Sequence, residues 1–219
     1  MKSKQTIMNP FASLREEFTK GNLKREDLKS NPLDQFGLWI QQSIEAKCLH
    51  PNAVSLGTVS EDGMPNVRVV LLKDFGDEGF VFYTNYDSQK GQELTHNPKA
   101  CLNFFWGELE RQVRINGNIK KTSSVDSDQY FQSRPRLSQL GAIVSPQSNV
   151  LSDEKFLEET YRDLLIKFGD QPIMRPNNWG GYVLIPDTME FWQGRANRLH
   201  DRFRYTKDEQ NWKIERIAP

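Results

Sequence analysis

Residues 53 to 75 read AVSLGTVSEDGMPNVRVVLLKDF, two runs rich in β-branched residues on either side of Asp62-Gly63. An Asp-Gly pair between such runs is a strong hairpin signal, because glycine enters a left-handed turn with no Cβ to clash. The signal constrains the whole fold because the pattern continues. GFVFYTN, ACLNFFW and RQVRINGNIKKT read as further strands, and GYVLIP, MEFWQG, HDRFRYT and NWKIERI close the chain as strands. Strands joined by short links, with only occasional helices, make no βαβ pattern and so exclude a doubly wound sheet. The expected fold is mainly β (α+β), a closed or nearly closed antiparallel barrel with peripheral helices.

The helices have their own signals. In SNPLDQFGLWIQQSIEAKC, Ser30 or Asn31 can cap, Pro32 suits the first turn, and Phe36, Trp39, Ile40 and Ile44 form one apolar stripe. DSQKGQELTHNP is a short helix ended by Pro98, with His96 placed to complement the dipole at its C-terminal end. SSVDSDQYFQSRP and SDEKFLEETYRDLLIKFG follow. In the second, Leu157, Tyr161, Leu164, Leu165 and Phe168 share a face and Gly169 supplies the stop. No repeat or Pro/Gly/Ser-rich linker divides the chain, so residues 1–219 are expected to form one domain, with 1–20 a mobile leader.

Lys plus Arg and Asp plus Glu both total 29, so no overall field draws the chain to nucleic acid or an anionic membrane; an anion must be held by a local cluster. Cys48 and Cys101 are far apart, outside any C-x-x-C pair. They are expected as small buried apolar residues in a reducing compartment, with no metal site. The N-terminus lacks a signal-peptide run and nothing approaches the ~20 apolar residues of a membrane span, so the expected location is cytoplasmic. G-x-x-x-x-G-K-[ST], G-x-G-x-x-G, H-E-x-x-H and G-x-S-x-G are all absent, which excludes the familiar phosphate cradles, zinc sites and serine elbows.

Cations and hydroxyls must therefore hold any phosphate, and they cluster. Arg68 and Lys73 in RVVLLK are joined by Tyr83-Thr84 and by Ser88, Gln89 and Lys90; Tyr130, Arg134 and Ser138 fall four apart, with Pro135 breaking or restarting the helix between them. A guanidinium donates two parallel bonds to phosphate oxygens, and at ~1.5–3 kcal/mol per charge-assisted bond, three or four supply most of the ~8 kcal/mol behind a micromolar complex. A third cluster, FWQGRANRLHDRF, sets Arg195, Arg198, His200 and Arg202 near Trp192. If extended, it aligns Arg198, His200 and Arg202 on one face, opposite Leu199, Asp201 and Phe203; if helical, His200 points away from both arginines. Arg68 and Lys73, five apart, face opposite ways in a regular strand, so a shared ligand needs a bulge, a strand end or a wrapped edge.

From about residue 14 to residue 219, RVVLLK, FYTN, LERQVRING, YFQSRPRLSQLGA, SPQS, WGGY, EFWQG...RLHDRF and the terminal WKIERIAP together resemble the pyridoxine (pyridoxamine) 5′-phosphate oxidase family. The resemblance implies an FMN-binding, antiparallel Greek-key split β-barrel working as a homodimer, with each flavin between subunits. By motif, FMN would meet Arg68, Val69, Val70, Leu71, Leu72, Lys73, Tyr83, Thr84, Gln89, Lys90 and Gln112 of one subunit, and Gln147, Ser148, Trp192 and Arg202 of the other. Lys73, Tyr130, Arg134 and Ser138 would grip the substrate phosphate, Arg198 and His200 would cover its pyridine ring as the catalytic pair, and Arg15 would join a flap.

The implied reaction oxidises C4′ of pyridoxine 5′-phosphate or pyridoxamine 5′-phosphate to the aldehyde of pyridoxal 5′-phosphate. Hydride passes to flavin N5, and dioxygen then reoxidises the flavin to give hydrogen peroxide. Another split-barrel flavin oxidoreductase and a non-catalytic pyridoxal-phosphate carrier are the alternatives. Three positions depart from the family pattern: Gln89 replaces a second basic residue, Phe18 a flap tyrosine, and His50 an acidic residue before Pro51.

Overall fold

The computed structural model describes residues 17–151, 153–209 and 211–219. In chain order the elements are α1 (Pro32–Glu45), β1 (Ala53–Val59), β2 (Pro65–Leu71), β3 (Asp74–Gly76), β4 (Gly79–Asn85), α2 (Gln89–His96), β5 (Lys99–Trp106), β6 (Arg111–Lys121), α3 (Ser124–Ser133), α4 (Arg136–Val144), α5 (Phe156–Phe168), β7 (Trp179–Gln193), β8 (Asp201–Asp208) and β9 (Asn211–Arg216). The nine strands form one sheet in the order β2-β1-β5-β6-β7-β4-β3, with β8 on β7 and β9 on β8. Every pairing is antiparallel. The sheet curls so that β2 at one edge approaches β4 near the other, and the short link from Leu71 to Asp74 joins the edge strands, the Lys73 N–H donating to the Val81 carbonyl at 2.8 Å. This is the expected split barrel with helices outside it.

The Asp62-Gly63 hairpin joins β1 to β2, pairing Val59 with Pro65 across the turn, and Gly63 takes φ +88°. GYVLIP and MEFWQG, read separately, are one strand, β7. Pro186 survives inside it because the register with β6 shifts between Asn116 and Gly117, beside the point where proline has no N–H to donate. Gly117 is required there, since a Cβ would collide with the Ile185 carbonyl.

Asn31 caps α1 by accepting from the Leu33 N–H at 2.9 Å. Phe36 and Trp39 face the barrel, but Ile44 is 52% exposed. Ser43, fully buried, takes the inward position instead and returns its hydroxyl to the Ile40 carbonyl. The two cysteines also divide: Cys48 is buried, whereas Cys101 is exposed because it alternates with the inward Leu102. On α5 no residue is buried. Tyr161, Leu164 and Phe168 lean on a small cluster of Phe131, Leu140, Ile173 and Trp179, and Leu165 turns outward.

Phe36 is the centre of the main core. Its ring, with no exposure, meets Phe75, Phe80 and Phe104 at centroid distances of 4.9, 5.0 and 5.0 Å. Truncation to alanine removes these edge-to-face contacts and leaves a cavity that the surrounding rings cannot close. Phe36→Ala should therefore cost about 3–5 kcal/mol, read as a lower urea midpoint at unchanged slope.

Candidate functional site

A cleft of about 700 Å³ opens at the seam where the sheet edges meet, along β2, β4, α2 and the α3–α4 junction. It gathers Arg68, Val69, Val70, Leu71, Lys73, Tyr83, Thr84, Lys90, Tyr130, Arg134, Ser138 and Gln147, so two clusters read apart in the sequence share one space. The opposition of Arg68 and Lys73 is resolved by a strand end. β2 stops at Leu71, Leu72 turns into the core at 5% exposure, and Lys73 begins the crossing to β4. Leu72 thus anchors the wall from behind and does not line the cleft.

Tyr130, Arg134 and Ser138 sit on two helices, not one. Arg134 ends α3 in an extended conformation, Pro135 starts α4, and the kink swings Ser138 back to the same opening. Tyr83 stacks on Tyr130 at 3.8 Å, both lie parallel to Trp179, and the Arg134 guanidinium rests 4.6 Å over the Trp179 ring. Burial pushes the Arg134 guanidinium down and the Tyr83 phenol up. Among the described residues Arg134 Nη1 is buried without a hydrogen-bond partner, which is costly for a charged donor unless an anion completes it.

Lys90 lines the same cleft. It is 8% exposed, and its ammonium donates to Gln147 Oε1 at 2.8 Å and Ser88 Oγ at 3.1 Å, both neutral acceptors. Burial, helped by the nearby Arg68, lowers it to about 8. Thr84 Oγ1 also donates to Gln147 Oε1, at 3.1 Å. Gln147, expected from a partner subunit, is therefore built into the cleft of its own chain.

Arg68 is already engaged, donating to Glu93 Oε2 at 3.0 Å and to the Thr58 hydroxyl. Gln89 points away from the cleft to Glu93 Oε1 at 2.9 Å. Burial alone would push the Glu93 carboxyl up, yet the Thr58 hydroxyl and the Arg68 guanidinium hold it below the usual carboxylate range. Glu93 orients Arg68 and had no local signal, lying 25 positions away. Trp179 was legible in WGGY: a Cβ at Gly181 would strike the Tyr83 ring and the Thr122 hydroxyl, so the glycine lets the aromatic stack close.

The remaining residues form a second surface. Cross-strand register sets Phe105, Gln112, Trp192 and Arg202 side by side across β5, β6, β7 and β8. Gln112, expected with Arg68, instead neighbours Trp192. Arg202 donates to Glu190 Oε1 and to the Ala218 carbonyl, both at 2.8 Å. His200 lies 4.7 Å from the Trp192 ring, and Phe18 packs edge-on against both rings.

The extended ribbon expected over 198–202 holds only from Asp201 onward. Ala196–Arg198 is a 3-10 turn, with Asn197 at φ +57° and Arg198 at φ +59°. Arg198 and His200 therefore leave a loop, while Arg202 alternates outward between buried Asp201 and Phe203. Ser148, exposed at φ +74°, lines no part of the cleft. Arg15 lies outside the described residues, and the end of the expected leader is tied down, the Lys20 N–H donating to Glu110 Oε2 at 2.8 Å. Among the described residues no three His, Cys, Asp or Glu side chains gather around a metal position, and no helix is long and apolar enough to cross a membrane.

The sequence model described as pyridoxamine 5′-phosphate oxidase matches residues 40–166, and that of the pyridoxine 5′-phosphate oxidase C-terminal dimerisation region matches 179–219. The chain is 48% identical over 212 residues to a pyridoxine/pyridoxamine 5′-phosphate oxidase of Polynucleobacter asymbioticus, covering 97% of this chain and 100% of the relative. It is 47% identical over 215 residues to the protein of that name from Burkholderia mallei, with the same coverage. Among solved structures it superposes on PhzG from Burkholderia lata 383, in complex with tetrahydrophenazine-1-carboxylic acid, at TM-score 0.85 and 31% identity, over 90% of this chain and 98% of the other. A pyridoxamine 5′-phosphate oxidase-related, FMN binding protein from Nostoc punctiforme shares the fold at TM-score 0.69 and 17% identity, over 88% of this chain and 100% of the other.

Proposed function

The chain belongs to the pyridoxamine 5′-phosphate oxidase family, and on that premise we propose that it oxidises pyridoxine 5′-phosphate or pyridoxamine 5′-phosphate to pyridoxal 5′-phosphate, using FMN and dioxygen and releasing hydrogen peroxide, with water consumed and ammonia also released from the amine. The observation that carries the reading is the cleft itself, which holds a buried lysine on neutral partners and a buried arginine donor that has no partner among the described residues. Two such cationic groups suit two phosphorylated ligands, a cofactor and a substrate.

FMN fits the residues present. Lys90 and Arg68 would hold its phosphate, with Thr84 and Gln147 as the hydroxyl and amide beside them, and the backbone of 68–73 would run along its edge. When bound, the flavin accepts the two electrons from the substrate and delivers them to dioxygen. The protein's share is placement. Arg134, Lys73, Ser138 and Tyr130 fix the substrate phosphate, which holds C4′ at one distance from the flavin; Arg198 and His200 cover the pyridine ring and exclude water.

Arg198 and His200 stand with Trp192 on the second surface, not in the cleft of the same chain. A homodimer that brings one chain's cleft against its partner's second surface would complete both sites. Exposed Val67, Val69, Leu71 and Phe105, at 72, 66, 44 and 58%, supply an apolar face for such an interface. A cytoplasmic setting agrees with two free cysteines. The ring-binding neighbour PhzG favours a second reading, oxidation of a larger polycyclic acid, for which the phosphate grip has no use.

An anaerobic absorption spectrum separates these readings. Pyridoxine 5′-phosphate should bleach the flavin's visible band, and air should restore it. Protein purified without flavin would favour a carrier, and a flavin bleached only by polycyclic substrates would favour the second reading.

A further inference from the structure

Asp201 opens β8 with its carboxylate 1% exposed, and three separate segments converge on it. It accepts from the Leu23 backbone N–H at 3.0 Å, from Arg195 Nη1 at 3.1 Å and from Arg216 Nη2 at 2.8 Å. The Arg195 contact matters beyond its charge, because the Arg195 backbone N–H donates to His200 Nδ1 at 3.1 Å.

We infer that Asp201 is a positioning residue for His200. Through Arg195 it holds the 194–200 loop so that a backbone N–H occupies His200 Nδ1, leaving Nε2–H as the ring's free group. A backbone amide can only donate, so Nδ1 presents its lone pair and the proton of the neutral ring sits on Nε2. His200 is then a hydrogen-bond donor toward a substrate oxygen and not a base that removes a proton. That it faces substrate at all rests on the oxidase reading; the tautomer does not.

The surroundings act in the same sense. Burial, then the charges of Arg198 and Arg202, push the imidazole below its ordinary value, and Asp201 alone opposes them; the Trp192 and Phe18 rings on its other sides carry no charge. The loop also needs an anchor. Asn197 and Arg198 both hold left-handed backbone angles that side chains with a Cβ adopt reluctantly, so the loop keeps its shape only while its ends are fixed. Gly194, donating to the Glu110 carbonyl at 2.8 Å, fixes one end; Asp201 fixes the other.

Nitrogen-15 spectra of histidine-labelled holoprotein read the tautomer directly. The wild type should give one neutral Nε2–H form for His200 at neutral pH. In Asp201→Asn and Arg195→Ala the signal should shift toward exchange between both tautomers. KM for pyridoxine 5′-phosphate should rise on the order of tenfold, the size of one ordinary hydrogen bond to substrate, while kcat and bound flavin change little. If Asp201→Asn fails to fold, Arg195→Ala decides, since that side chain is 45% exposed. An Nδ1–H or charged His200 in the wild type, or unchanged His200 signals in Arg195→Ala, overturns the inference. The expected spectra without any oxidation of pyridoxine 5′-phosphate would uphold the positioning role and reject the oxidase reading instead.

Discussion

Replacing Arg134 by methionine should raise KM for the phosphorylated substrate by about two to four orders of magnitude, because two charge-assisted bonds at ~1.5–3 kcal/mol each are lost. The folded protein should not suffer. Methionine keeps a stem over Trp179, and the variant removes a donor, Nη1, that is buried without a partner. Its melting temperature should therefore stay level or rise, and its flavin content should stay near the wild-type level, since the Lys90 ammonium keeps its own partners, Gln147 and Ser88. Unphosphorylated pyridoxine supplies the control: wild type and variant should oxidise it equally poorly. An Arg134→Met enzyme that still prefers the phosphorylated substrate by the wild-type ratio would remove Arg134 from the phosphate grip.

The cleft was legible in the sequence to the extent that local chemistry decides placement. Alternation in VRVVL, residues 67–71, sets Arg68 and Val70 inward and Val67, Val69 and Leu71 outward, as the strand requires. Asn31 before Pro32 starts α1, and Pro135 breaks the helix that spacing alone would have carried through Arg134. What local chemistry does not decide was lost. The turn at 196–198 depends on left-handed angles at Asn197 and Arg198, and neither residue type announces them; they are held by Asp201, which reads in sequence only as an acidic residue among arginines.

Long-range register had the same effect on Gln112 and Gln147. Each was matched to a motif, but which cluster it joins follows from strand pairing and from the chain's return past α4, both invisible along the sequence. Gln112 went to Trp192, and Gln147 went to Lys90. Ile44 and Ser43 illustrate the limit on packing: an apolar stripe predicts a buried face, and one residue's rotation decides that a serine, its hydroxyl satisfied on Ile40, takes the end of it.

Lys90 gives the other large effect, on the cofactor. Lys90→Met should weaken FMN binding about ten- to a hundredfold, the size of one charge-assisted bond in a desolvated setting, and leave riboflavin, which lacks the phosphate, nearly unaffected. The wild type should also bind FMN less well as pH rises. In the free protein Lys90 loses its proton near 8 because burial disfavours the ammonium. A phosphate dianion beside it favours the ammonium and raises that value in the complex. Between the second phosphate ionisation at ~6 and about 8, Lys90 is charged in both states and affinity is flat; above it, binding must take up a proton and affinity falls by about tenfold per pH unit until the raised value is reached. The fall should vanish in Lys90→Met. Isothermal titration of the deflavinated proteins across this range tests both arms, and an equal fall in variant and wild type would place the phosphate away from Lys90.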